Sequence, residues 1–149
     1  MPVIIVPKGN PAGIATLRDF TRPGVRVGMG DPRACAIGKQ SPKVFEKNKI
    51  AFDAVKPQIV YQSGTVEELG VAVGMRSVDG ALVWDITARH FADKVDVIAL
   101  PADQNIISPI AVVVLKSAAD PARADAFGAL AQSPVGQKLL ADKGWTLKP

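Results

Sequence analysis

The sequence predicts an α/β domain, a mainly parallel open sheet with helices on both faces. Three observations lead there. Short β-branched runs alternate with helical stretches along the whole chain. The composition is 48% hydrophobic but only 5% aromatic, which suits aliphatic strands buried beneath helices. Several strands run directly into a turn and a helix-start signal. At 149 residues the chain can bury one self-sufficient core without disulfides or metal.

Residues 3–6 form a β-branched run that ends in the rigid turn Pro7-Lys8-Gly9-Asn10-Pro11. Residues 25–29 alternate as a strand. Asp31 and Pro32 then supply an N-cap and a first-turn proline for a helix reaching about Lys47. Residues 58–61 form the next strand, Ser63-Gly64-Thr65 the turn, and a helix runs from Val66 to about Arg76. Thr65 and Glu68 stand at capping-box spacing, which makes this the best-specified helix start in the sequence. Strands follow at 80–84, after the turn Val78-Asp79-Gly80, and at 95–100. The long apolar run 106–115 reads as a strand whose start, at Pro109, lies at an edge or bend. Asp120-Pro121 opens a helix to about Ala131, and Ser133-Pro134 opens a last helix that Gly144 ends before Trp145.

Several function classes are excluded by composition. The net charge of +4 is spread along the chain, with no basic block of the kind that binds nucleic acid. Cys35 is the single cysteine, so it reads as a buried structural thiol and no disulfide or Cys/His metal spacing exists. No apolar run approaches the ~20 residues of a membrane span, and no export signal precedes the first strand. His90 is the lone histidine and has no nucleophile in a recognisable motif beside it. No enzyme activity, cofactor or metal is expected.

In open α/β sheets ligands bind beyond the carboxyl ends of strands, where the first N–H groups of helices lack partners. Two segments have that form: Gly28-Met29-Gly30 leading to Asp31-Pro32-Arg33, and Tyr61-Gln62 leading to Ser63-Gly64-Thr65-Val66. Two convergent helix starts would cradle a tetrahedral oxyanion. The same small residues also serve ordinary tight turns.

Three stretches, in order and spacing, carry a resemblance: Val6-Pro7-Lys8-Gly9-Asn10-Pro11, the segment from Val25 to Pro32, and Gly80-Ala81-Leu82-Val83-Trp84. Together they resemble the molybdate-binding periplasmic proteins, and the closing helix from Ser133-Pro134 to Gly144-Trp145 is similar too. The resemblance implies a single lobe of a type II periplasmic-binding-protein fold over 1–149, with 107–149 as a returning strand and C-terminal helices. It implies an extracytoplasmic module that holds molybdate or tungstate for an ABC transporter permease. Another oxyanion such as phosphate, or a ligand-sensing or interaction domain of the same fold, are the alternatives. The family's backbone contacts carry over to Ile37, beside Ala36, and to Val66, beside Ser63 and Thr65. Its third contact falls on Trp84 or Asp85, although Trp84 stands where a tyrosine is usual. A carboxylate at Asp85 would repel unprotonated molybdate or tungstate and suit a protonated oxyanion such as hydrogen phosphate, or it points to solvent or caps the following turn. The family's first lobe has no counterpart in this sequence, so the resemblance implies either a missing lobe or a homodimer that restores the cleft.

Overall fold

A computed structural model describes residues 1–145. They divide into two units, Met1–Ile106 and the segment that begins at Ile107, and each is taken by itself.

The first unit contains five strands, β1 (Pro2–Pro7), β2 (Val27–Gly30), β3 (Ile59–Ser63), β4 (Gly80–Trp84) and β5 (Val95–Ala99), in one sheet of order β3-β2-β4-β1-β5. β2 is parallel to both β3 and β4, while β1 is antiparallel to β4 and β5. The sheet is therefore mixed, with β2 to β5 pointing one way and β1 reversed between β4 and β5. The reversal has a simple cause. The link from β1 to β2 contains only a 3₁₀ turn, Leu17–Thr21, and no helix to carry the chain back across the sheet. Asn10 folds this link on itself, accepting from the Ile14 N–H at 3.0 Å and donating to its carbonyl at 2.7 Å, and Ile14 and Phe20 sink into the core.

The other connections are helical. α1 (Ala36–Lys47) and the short α2 (Phe52–Val55) join β2 to β3, α3 (Val66–Gly74) joins β3 to β4, and α4 (Asp85–His90) follows β4. α1 buries Ile37, Ser41, Val44 and Phe45, one stripe at helical spacing. Phe45 packs against Phe20 and Phe52. Helices cover both faces. A Cβ on Gly28 would meet Leu69 of α3, whereas one on Gly80 would meet Ile14 and Phe20, the ring that touches α1. Gly28 pairs with Ala81, and neighbours along a strand point to opposite faces. All six residues of β1 are buried, as befits an interior strand covered on both sides.

Two helices of the first unit differ from the sequence reading. α1 begins at Ala36, not at Asp31-Pro32. The Asp31 carbonyl accepts from the N–H groups of Ala34 and Cys35, which closes a separate turn, and Cys35 returns to extended backbone (φ −115°, ψ 128°) before the helix starts. Cys35 itself is buried, as expected. α4 was not foreseen, because Asp85-Ile86-Thr87 reads as the exit from a strand.

Residues 106–115, which cross from the first unit into the second, are not a strand: none of them enters a ladder. High β-propensity does not make a strand without a partner edge, and Pro109 lacks a donor. α5 (Pro121–Gln132) and α6 (Pro134–Asp142) follow where the caps place them. Asp120 accepts from the Arg123 N–H at 3.0 Å and Ser133 from the Gly136 N–H at 3.2 Å. No apolar side chain is buried in this unit among the described residues. No helix among them is long and apolar enough to cross a membrane. The expected span 107–149 runs past Trp145, so its last four positions lie outside the described residues.

The start of β2 is clamped to the turn before β4. Arg26 donates from its backbone N–H (2.8 Å) and Nη2 (2.7 Å) to Asp79, and the Asp79 N–H returns a bond to the Arg26 carbonyl at 2.7 Å. Burial alone would raise the Asp79 pKa, but the Arg26 side-chain and backbone hydrogen bonds and its charge outweigh that and hold it below the ordinary carboxylate range. A depressed folded-state pKa gives stability that is present above the unfolded value, about 3.9, and is lost as pH falls through the folded one. Urea midpoints measured between pH 6 and 2.5 should therefore fall with acidification, and less steeply in Asp79→Asn than in the parent chain.

Candidate functional site

The order β3-β2-β4 fixes where a ligand can sit. The chain leaves β2 sideways to β3, then returns past β2 to β4, and right-handed crossovers of opposite direction send α1 and α3 to opposite faces. The carboxyl ends of β2 and β3 thus lie side by side with their helices leaving on opposite faces, next to the β2/β4 switch point of this strand order. Register brings the parts level, since Gly30 pairs with Ser63 and the Asp31 N–H extends the ladder to the Ser63 carbonyl at 2.7 Å. A methyl built on Gly64 would lie 3.6 Å from that of Ala34, so the two loops touch. β4 ends at the same edge with Trp84.

The two helix starts are finished differently. At α3, Thr65 accepts from the Glu68 N–H at 3.4 Å. Glu68 does not reach back to the Thr65 N–H as a simple capping box would have it. Its carboxylate accepts from the Ser63 hydroxyl, and Ser63 Oγ accepts from the Thr65 N–H at 3.0 Å. Buried Ser63 is therefore the relay of the cap, and the N–H groups of Val66 and Glu67 are left without a partner among the described residues. At α1, Cys35 offers no side-chain cap. The N–H groups of Ala36, Ile37 and Gly38 likewise have no partner among the described residues. Both ends carry the positive pole of the helix.

Gly38 holds α1 against β2. Any Cβ there would overlap the Gly30 carbonyl and the Asp31 backbone, so only glycine permits this approach. Beside it a groove of about 520 Å³ runs between α1, α2 and the outer strand β3, with Gly30, Pro32, Gly38 and Pro42 on one wall and residues 59–62 on the other. Of the helix-start residues only Gly38 lines this groove.

Of the residues expected at the site, Ala36, Ile37, Ser63, Thr65 and Val66 stand at the two helix starts. Ile37 and Val66 present backbone only, since the Ile37 side chain is buried and Val66 packs partly on the core. Trp84 is half-buried against the core. Asp85 is held away from the role of a lone ligand-facing carboxylate: its Oδ1 accepts from the Ile86 N–H at 2.9 Å and from the Met1 amino group at 2.7 Å. Asp85 is the first residue of α4 and does not cap it, since the N-cap is Trp84 with no side-chain bond. Two features went unseen in the sequence, the Asp31–Arg33 pair and the need for Gly38. Arg33 donates to Asp31 from its backbone N–H at 2.8 Å and from Nη2 at 2.9 Å. These bonds, the side-chain one foremost, hold the Asp31 carboxyl below its ordinary range. A Pro flanked by Asp and Arg is the only sequence signal for that turn. His90 is exposed at the end of α4, and no cluster of metal-binding side chains occurs among the described residues.

The geometry can be set beside known proteins. A family described as bacterial extracellular solute-binding protein matches residues 1–146. The molybdate-binding protein ModA of Mycobacterium tuberculosis is 27% identical over 143 residues, covering 96% of this chain and 52% of its own length. The chain spans about half the length of the curated relatives it matches, 52–58%. Among solved structures, L-phospholactate-bound PEB3 superposes with a TM-score of 0.75 at 18% identity, over 99% of this chain and 65% of that one. The periplasmic molybdate-binding protein of Azotobacter vinelandii does so with a TM-score of 0.68 at 14% identity, over 99% and 65%. These two likenesses establish the fold.

Gly38→Ala should lower stability by about 1–3 kcal/mol through overpacking, read as a shift in urea midpoint. Gly128→Ala, where a Cβ on α5 meets nothing within 4 Å, should not.

Proposed function

The chain belongs to the bacterial extracellular solute-binding protein family, and from that premise we propose that its first unit binds a small tetrahedral oxyanion, molybdate or tungstate, at the switch point. The observation that supports this reading is the pair of touching helix starts with unpartnered N–H groups, at Ala36, Ile37 and Gly38 on one side and Val66 and Glu67 on the other. Fixed backbone donors suit a tetrahedral anion because they need no reorganisation and sit at the positive ends of two helices. In this reading Ser63 and Thr65 shape the α3 cap and leave its first donors free. Trp84 and Asp85 border the site from β4 and α4. The choice of molybdate follows the name of the mycobacterial relative.

The proposed setting is extracytoplasmic, with an ABC transporter permease as partner. One strand edge encloses a ligand on one side only, so the reading also requires a complementary polypeptide surface. Either a lobe equivalent to the length that relatives have beyond this chain or a second copy supplies it. Native mass spectrometry over a range of protein concentrations separates a dimer from a monomer that needs a different partner.

The primary test is a thermal-shift titration with molybdate, tungstate, sulfate and phosphate. A ligand of the folded state raises Tm as RT ln(1 + [L]/Kd). Molybdate and tungstate should raise it. A response to phosphate alone would overturn the choice of anion, and no response to any anion would overturn binding by this chain alone. Val66→Pro sharpens the test. Proline is tolerated at the first helical position, and Thr65 is already extended (φ −126°, ψ 149°), as a residue before proline must be. The change removes one N–H and keeps the helix. It should weaken anion binding by about tenfold, the worth of one hydrogen bond to a charged group, with little loss of Tm in the absence of anion.

A further inference from the structure

We propose, resting on the anion-binding reading above, that Arg33 is a specificity-determining residue: it neutralises Asp31 at the rim and lets the switch point accept a fully ionised anion. Four carboxylates open the segments at this edge, Asp31 after β2, Glu67 and Glu68 in the first turn of α3, and Asp85 at the start of α4. Such a ring would repel a dianion. Glu68 is bonded by the Ser63 hydroxyl and Asp85 by the Ile86 N–H, while the Glu67 carboxylate has no partner among the described residues. Asp31 is the carboxylate nearest in sequence to the free donors of α1, and Arg33 answers it.

The pairing is built, not incidental. The Asp31 N–H is fixed on the Ser63 carbonyl at 2.7 Å, and the Arg33 N–H is fixed on Asp31 Oδ1 at 2.8 Å, so both backbones are set before the side chains meet. The guanidinium then covers both carboxylate oxygens, Nε on Oδ1 at 3.2 Å and Nη2 on Oδ2 at 2.9 Å. Ala34, the next residue, is the one that approaches the Gly64 turn. The Arg33 side chain is otherwise 89% exposed, and an exposed pair of this kind contributes little to folding. Its consequence is electrostatic: α1 begins after it, and the first cation of that helix is Lys39.

The test uses the full chain with sodium molybdate as probe, titrated by calorimetry at about 20 mM and 150 mM ionic strength. Arg33→Gln leaves Asp31 unpaired and should weaken binding by about three- to tenfold at low salt, with a smaller loss at high salt because screening shortens the reach of the bare carboxylate. Asp31→Asn/Arg33→Gln keeps an acceptor for the residue-33 N–H and removes both charges. It should bind within about twofold of the parent. Unchanged binding by Arg33→Gln at low salt overturns the proposal. So does a double variant as weak as the single one, which would make Arg33 a direct contact to the anion. Failure of the parent chain to bind molybdate overturns anion binding by this chain alone, and this role with it.

Discussion

The close approach of α1 to β2 is the constraint on which the rest of the first unit depends. Gly30 and Gly38 meet backbone to backbone, and from that contact follow the position of α1 over the sheet, the burial of Ile37, Val44 and Phe45, and the place of the unpartnered first-turn N–H groups beside the end of β2. A side chain at Gly38 would lift the helix start away from β2 and separate it from the β3 loop. The bond from the Asp31 N–H to the Ser63 carbonyl then ties the two loops at one height. The crevice is thus a product of packing and ladder register, and no side chain has to reach into it to define it.

The two helix ends illustrate how capping leaves donors available. A helix start has four N–H groups without intrahelical partners. Thr65 takes the third-position donor of α3, and the Glu68 carboxylate, which in an ordinary capping box would fold back on Thr65, is drawn to Ser63. Ser63 in turn accepts from Thr65. The effect is to satisfy the groups flanking the site and leave Val66 and Glu67 open. α1 reaches the same result by having no side-chain cap, because the buried thiol of Cys35 occupies that position.

Much of this was legible in the sequence where local chemistry decides the outcome. The β3 to α3 passage, the β4 strand and the caps of α5 and α6 depend on neighbouring residues, and Thr65, Asp120 and Ser133 cap where the spacing puts them. Direction and partnership are not local. Nothing in residues 3–6 says that β1 lies antiparallel between β4 and β5; that follows from the lack of a crossover helix later in the chain. Asp31-Pro32 has the composition of a helix start and of a type I turn alike. Here the turn wins: the Asp31 carbonyl takes the Ala34 and Cys35 N–H groups, and Cys35 is extended before the helix starts. The Asp31–Arg33 pair and the need for glycine at 38 are equally tertiary, since each is defined by what stands opposite.

Residues 107–145 carry this argument further. Their sequence has the apolar content of a core, with Ile110, Val113, Phe127 and Val135 among its members, yet each of these is more than 60% exposed. α5 and α6 are well capped, but capping and propensity leave helices of 12 and 9 residues marginal without a packed face. An uncharged extended run from 106 to 115 is likewise a strand in composition only, since pairing supplies what its residues cannot. The first unit is different: its 25 buried apolar residues form one continuous core. The physical distinction between the units is therefore one of completeness. Residues 1–106 fold around their own interior, whereas the helices of 107–145 bury no apolar side chain among the described residues, and local capping is what defines them.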